Sequence, residues 1–339
     1  MIVTRRSALG TLLAAPALLR PGAARAAPRV LKISHQFPGG TLEEGDFRDR
    51  LVRRFARDVH AETNGELEFQ IYPGSSLMKT MAQFSALRRG ALDLTMYPLA
   101  YAGGEVPEVN ITLMPMMVTS YEQGAAWKAA AIGQELTAVL EKRGVKLLTW
   151  VWQAGGIGSR AGAIVEPKDV QGLKIRGGSR EFDLFLKAAG GIISSVPSNE
   201  AYAAMQTGSL DAVVTSSTSL TSFRLYEIAR NVTTPQRGSI WFMFTPLLMS
   251  KDIFDGLNAD QQAALMRVGA GMEPFAVDGS RHDDAELASV FAKAGVAVHE
   301  ENPAALERWR DIAKASAWKD FSDRNAACAN LMKLAEAVA

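Results

Sequence analysis

The stretch GGIGSRAG, residues 155–162, holds one cation, Arg160, inside a glycine-rich loop at the end of an apolar run. The backbone N–H groups of such a loop can converge as donors, and a guanidinium beside them suits an anion. Other side chains able to recognise a ligand fall where β-like runs end. His35, Gln36 and Phe37 close VLKISHQF, Tyr97 closes LDLTMY, Trp152 stands near the end of KLLTWVWQ, and Thr215 and Ser216 close LDAVVTS. Trp241 alternates with Phe242 in a further aromatic run, so the two take opposite faces. Hydrogen-bonding and aromatic groups of this kind are the chemistry of a binding surface. Catalysis is not signalled: the four histidines, 35, 60, 282 and 299, accompany no G-x-S-x-G elbow, H-E-x-x-H pair or phosphate loop. No Asp, Glu and His cluster has metal-ligand spacing, so neither a metal nor another cofactor is expected. Arg180 falls at the start of a predicted helix, a poor place for an unpaired cation.

The elements that must position these residues alternate between strand and helix. After VLKISHQF, apolar Phe47, Leu51, Phe55 and Val59 recur every fourth residue and predict a helix over 46–62. ELEFQIYP, 66–73, alternates like a half-buried strand. Helix is expected at 81–89 and as one long element at 121–143, with a single strand over 146–153. A second series follows: strand at LKIR, helix at 179–189, strand at IISSV, helix at 198–207, strand at 210–215. VTTP and SIWFMFTPLLMS return to strand, and the chain from 258 onward is helical in pattern. One turn occurs twice: Ala86-Leu87-x-x-Gly90-Ala91-Leu92-Asp93 and Ala204-Met205-x-x-Gly208-Ser209-Leu210-Asp211. In each, glycine ends a helix in the left-handed conformation and a strand follows. Two α/β units with the same closing turn predict two lobes, each a mainly parallel sheet with helices on its faces. Ligands of such sheets sit beyond the carboxyl ends of the strands, so the strand-end residues face a common cleft.

The N-terminus bounds the compartment. Arg5-Arg6, an apolar stretch from Ala8 to Leu19 and the closing Ala24-Arg25-Ala26 have the layout of a signal peptide over 1–26, with the paired arginines favouring twin-arginine export. Its removal takes four arginines and no acids, moving the formal charge from +1 to −3 and leaving no basic stripe for nucleic acid. The single cysteine, Cys328, forms no internal disulfide. The expected product is an exported periplasmic protein that does not span the membrane.

The central segment EPKDVQGLKIRGGSREFDLFLKAAGG, with VPSNEAYAAMQTGSLDAVVTS after it, resembles the solute-binding proteins of TRAP (tripartite ATP-independent periplasmic) transporters, the DctP family. Asp169, Gly172, Lys174, Arg176, Pro197, Glu200, Tyr202, Ala204, Gln206, Gly208 and Asp211 carry the pattern, and the order fits over nearly the whole chain after residue 26. The resemblance implies the periplasmic solute-binding fold, two α/β lobes with chain crossovers, and a receptor that hands a small organic acid to the membrane subunits of a TRAP transporter. It implies that Arg176 anchors the ligand carboxylate. A planar guanidinium offers paired donors for that task. The sequence departs from the family pattern at three positions: Gly178 replaces a proline, a second arginine falls near Gly156 with Arg160 the nearest candidate, and Thr215 replaces a frequent asparagine. The expected division is 27–152 plus 237–280 as the first lobe and 153–236 plus 281–339 as the second. A binding protein of an ABC importer or a periplasmic sensor shares this outline, and a periplasmic enzyme is the more distant alternative.

Overall fold

The computed structural model describes residues 27–338; the expected signal segment lies outside them. Two sheets organise the chain. The first receives β1 (Arg29–His35), β2 (Leu67–Tyr72), β3 (Leu94–Met96) and β4 (Val145–Thr149). The second receives β5 (Trp152–Ser159), β6 (Lys174–Arg176), β7 (Ile192–Ile193), β8 (Ala212–Ser216), β9 (Asn231–Thr234) and β10 (Phe242–Phe244). The chain then returns to the first sheet as β11 (Leu247–Ser250) and rejoins the second as β12 (Ala297–Glu300). The orders are β2-β1-β3-β11-β4 and β12-β9-β5-β8-β6-β7, with β10 beside β5.

The α/β series predicted parallel pairing, and β1 with β2 and β3, and β6 with β7 and β8, are parallel. The segments that cross between sheets are the exception: β11 runs antiparallel to β3 and β4, and β5 antiparallel to β8, β9 and β10. Sheet membership puts the crossings at Trp150-Val151 and Thr245-Pro246, so the apolar runs 146–153 and 239–250 are each two strands rather than one. The crossings are tied to each other, because Thr245 N donates to Val151 O at 2.8 Å.

Residues Phe47–Glu62 form the first helix, capped by Asp46, whose side chain accepts from Arg48 N. Phe47, Leu51, Phe55 and Val59 are all buried in the core of the first lobe, each contributing roughly 2 kcal/mol of transfer free energy. The duplicated turn is built alike in both lobes. Gly90 has φ +67° and Gly208 φ +78°. The aspartate that follows each fastens the neighbouring strand: Asp93 Oδ2 accepts from Lys32 N at 2.6 Å and Asp211 Oδ2 from Lys174 N at 2.8 Å. Two expectations need correction. The helix at 121–143 is broken at Ala130, whose backbone is extended, giving Tyr121–Ala129 and Ala131–Lys142. The break folds the second segment back until Gly133 stands against the Trp127 carbonyl, where a Cβ would lie 2.2 Å from that oxygen. The helical C-terminal region is interrupted by β12, which extends the second sheet beside β9.

The C-terminal helices straddle the lobes. Trp309 donates to Val165 O at 2.8 Å and packs on Phe185, whereas Trp318 donates to Pro115 O at 2.8 Å. Near the start of this region Glu301 is 3 % exposed and its Oε2 has no partner. Burial, reinforced by Glu166 and Asp169, pushes its carboxyl up to about 8. A carboxyl whose pKa is higher folded than unfolded holds its proton in the native state only, so stability falls as pH rises from the usual glutamate value toward 8. Glu301→Gln is therefore expected to leave the melting temperature almost unchanged at pH 4, below the usual glutamate value, and to raise it above wild type at pH 8.5, read by differential scanning calorimetry at both pH values.

Candidate functional site

The carboxyl ends of β1, β3, β6 and β8 converge, with the start of β5, on the space between the sheets. Gln36, Phe37, Pro98 and Tyr101 enter from the first lobe. Gln153, Ser198, Thr215, Ser216, Ser219 and Trp241 enter from the second. Arg48, in the first turn of its helix, also lines the space. The cavity left among these groups is about 10 Å³, room for one water at most. A second cavity of about 440 Å³, mainly apolar, opens between Ala100, Tyr101 and Asn110 of the first lobe and Gly178, Asp183 and Pro197 of the second. Tyr101 lines both.

Arg176, at the end of β6, has 0 % exposure. Its Nε donates to Val196 O at 2.9 Å, Nη1 to Val214 O at 2.9 Å and Nη2 to the Tyr101 hydroxyl at 2.5 Å. A guanidinium has five N–H donors, so two remain without a partner among the described residues. No carboxylate lies within ion-pair distance of it among the described residues. Burial pushes the Asp183 carboxyl up, while Ser195, the Arg176 charge and the Gly177 amide oppose the rise. The Tyr101 oxygen also accepts from Ser198 N at 3.0 Å, so this phenol bridges the lobes.

Arg48 is a second buried guanidinium, 2 % exposed, and it is paired. Asp46 accepts from its Nε at 2.8 Å and its Nη2 at 2.6 Å. Its Nη1 reaches across to Ser219 Oγ at 2.9 Å, Gln153 Oε1 at 3.3 Å and Ser216 Oγ at 3.3 Å. Phe37 lies under it, 3.7 Å from ring centroid to guanidinium carbon.

Of the residues singled out in the sequence, Gln36, Phe37, Thr215, Ser216 and Trp241 line the inner cavity, and Arg176 meets it through Tyr101 and β8. Gln36 Nε2 donates to Ser198 Oγ at 3.2 Å across the lobes. Trp241 donates to Gly177 O at 3.2 Å, and its ring fills the place where a Cβ on Gly155 would stand, 2.5 Å away. His35 lies behind this set, with Nε2 3.1 Å from Asp49 Oδ1 and its ring stacked on Phe37. Burial would raise the Asp49 carboxyl, but His35, Arg53 and the Gly40 amide outweigh it and hold it below its ordinary value. Tyr97 is packed between Phe84 and Tyr101, where burial raises its phenol, and Trp152 between Trp127 and Phe244; neither lines the cavity.

Arg160 is set apart from the site. Because β5 runs antiparallel to β8, Gly155 pairs with Ser216 at the cleft whereas Ser159 pairs with Ala212 at the far end. Arg160 follows Ser159, roughly 17 Å along the strand from Gly155, and stands beside Gly208. Nor could a side chain at position 156 replace it, since a Cβ on Gly156 would lie 2.3 Å from Thr233 O. Arg48, Tyr101, Gln153, Ser198 and Ser219 were not singled out. None carries a distinguishing signal in the sequence: Arg48 is one of four arginines in FRDRLVRR, where charge reads first as a solvated helix face.

Two α/β lobes joined by paired crossings, with a polar cavity between them, define a ligand receptor of the two-lobe type. The sequence matches the bacterial extracellular solute-binding protein family 7, DctP, over residues 39–324. The chain belongs to that family. A solute-binding protein from Albidiferax ferrireducens is 57 % identical over 306 residues, 90 % of each chain. The C4-dicarboxylate-binding periplasmic protein DctP of Rhodobacter capsulatus is 25 % identical over 310 residues, 90 % of this chain and 88 % of the other. Among solved structures, a TRAP periplasmic solute-binding protein from Rhodoferax ferrireducens with bound malonate superposes with a TM-score of 0.90 at 57 % identity, covering 91 % of this chain and 98 % of that one.

Proposed function

We propose that this protein is a periplasmic receptor that captures a small organic carboxylate between its lobes and delivers it to the membrane subunits of a TRAP transporter, without transforming it. The observation that carries this reading is Arg176: a guanidinium with 0 % exposure and, among the described residues, two unpartnered donors and no carboxylate within ion-pair distance. Burying an uncompensated charge is costly unless a partner arrives, and a carboxylate supplies both the charge and the paired acceptors. The bound malonate of the 57 % identical structure and the dicarboxylate named for the R. capsulatus relative are ligands of that chemistry. Since the inner cavity holds no more than a water, the guest enters by hinge opening at Trp150-Val151 and Thr245-Pro246, and closure then excludes solvent from the ion pair. The division of the chain into lobes at these crossings belongs to the same proposal.

Titration calorimetry of the chain without residues 1–26 tests it, using small carboxylates and their uncharged amides. A dissociation constant near 1 μM, about −8 kcal/mol, is expected for at least one acid, with no binding of its amide and with the acid recovered unchanged. Equal affinity for the amide, or turnover of the acid, overturns the reading.

A further inference from the structure

We propose that Arg48 is the second ligand anchor of this cleft and a specificity-determining residue, one that recognises an oxygen-bearing group on the guest two or three bonds from the carboxylate held by Arg176. This rests on the carboxylate reading above and names the class of acid within it: short acids with a second oxygen function, in preference to plain monocarboxylates.

Arg48 is held on two sides. One edge of its guanidinium, Nε and Nη2, is fixed by the two oxygens of Asp46, at 2.8 and 2.6 Å. The ring of Phe37 supports one face at 3.7 Å. An arginine held along one edge and one face presents the remaining edge, Nη1, in a set direction. That edge points across the cleft at Gln153, Ser216 and Ser219, all on the opposite lobe and all lining the same small cavity. Two of the three contacts, at 3.3 Å, exceed the usual length for such donors. The two hydrogens of Nη1 are thus spread over three acceptors in a cavity that must open for any guest. An oxygen of the guest placed there accepts from Nη1, while the serine hydroxyls and the Gln153 amide can donate to it. Gln36 and Ser198 complete a donor-rich wall. A methyl group in the same place would leave these buried groups without partners, and that asymmetry is the physical basis of discrimination.

The helix carrying Arg48 packs in the first lobe, so this contact is made only on closure. Arg48 also stands on a different element from Gly156, the position near which the family pattern implies a second arginine.

Propionate, lactate and malonate have the same carbon count; lactate replaces one α-hydrogen of propionate by a hydroxyl, and malonate replaces its methyl by a second carboxylate. Calorimetry on the full chain after residue 26 is expected to show lactate or malonate bound at least 10-fold more tightly than propionate. Arg48→Gln is expected to reduce that preference to under 3-fold while changing propionate affinity by less than 3-fold. Because Arg48→Gln strands the Asp46 carboxylate, the pair Asp46→Asn with Arg48→Gln is measured alongside, with unfolding followed for each; it removes both charges and is expected to lose the preference in the same way. A preference that survives in the double variant, or affinity for propionate falling in parallel with the others, overturns the assignment. If wild type binds all three equally, the second anchor is absent but the carboxylate reading stands. If wild type binds none of the three, the second anchor falls, and the carboxylate reading is decided by the comparison of acids with their amides.

Discussion

Arg176→Ala is expected to weaken carboxylate binding by roughly 30- to 4,000-fold, the range that follows from 2–5 kcal/mol for truncating one partner of a buried, hydrogen-bonded charge pair. The fold should survive the change. Alanine withdraws donors from Val196 O and Val214 O, which would cost about 1–3 kcal/mol for each carbonyl left dry. Two effects work against that loss. The space vacated by the guanidinium can hold water, which satisfies both oxygens. The substitution also removes a buried charge that has no ion-pair partner among the described residues, and with it the desolvation cost of keeping that charge. Stability of the ligand-free protein should therefore change by no more than about 2 kcal/mol, whereas the ligand-induced gain, about 2.7 kcal/mol at 100-fold excess over the wild-type dissociation constant, falls below about 1 kcal/mol at the same ligand concentration. Titration calorimetry and urea unfolding with and without malonate separate the two quantities. Arg176→Lys keeps the charge but loses the fork, and should fall between alanine and wild type. Unchanged affinity in the alanine variant would remove Arg176 from the site.

What the sequence made legible, and what it did not, divides along a physical line. Patterns set by local geometry could be read: the four-residue spacing of Phe47, Leu51, Phe55 and Val59, and the helix-ending glycines at 90 and 208 with their paired aspartates. Strand ends could be read too, because a parallel α/β series fixes which end carries the ligand, and Gln36, Phe37, Thr215 and Ser216 stand there. Strand direction could not. Arg160 looked like a cleft residue because its glycine-rich loop ends an apolar run, but β5 is antiparallel to β8 and carries that end away. Changes of sheet were equally hidden: KLLTWVWQ reads as one apolar run with Trp150-Val151-Trp152 unbroken, and no residue type marks where hydrogen bonding passes from one sheet to the other. Buried charge was the hardest feature. In FRDRLVRR the arginines at 48, 50, 53 and 54 look alike, and only the meeting of two lobes distinguishes Arg48 from those that reach solvent.

Asp46→Ala should be among the most destabilising single changes in the protein. Asp46 is fully enclosed with Arg48 and performs two tasks at once. Its Oδ1 accepts from Arg48 N at 2.9 Å and caps the first helix, a contribution of about 1 kcal/mol. Both its oxygens neutralise the guanidinium, and removing one member of a buried pair costs about 3–5 kcal/mol, because the other charge stays behind without a partner or adequate water. At about 2 °C per kcal/mol for a chain of this size, the melting temperature should fall by roughly 6–12 °C. Asp46→Asn keeps the cap and an acceptor, so it should lose less. The ligand response gives a second readout. Without Asp46 the cleft carries one more unbalanced positive charge, and a malonate dianion can place its second carboxylate against Arg48. Saturating malonate is then expected to raise the melting temperature of Asp46→Ala by more than it raises that of wild type, whereas propionate should raise both equally. Calorimetric scans of the two proteins with each acid check this. A melting temperature within 2 °C of wild type would mean that Arg48 is not held by Asp46 in solution, and the fixed geometry on which the second anchor depends would go with it.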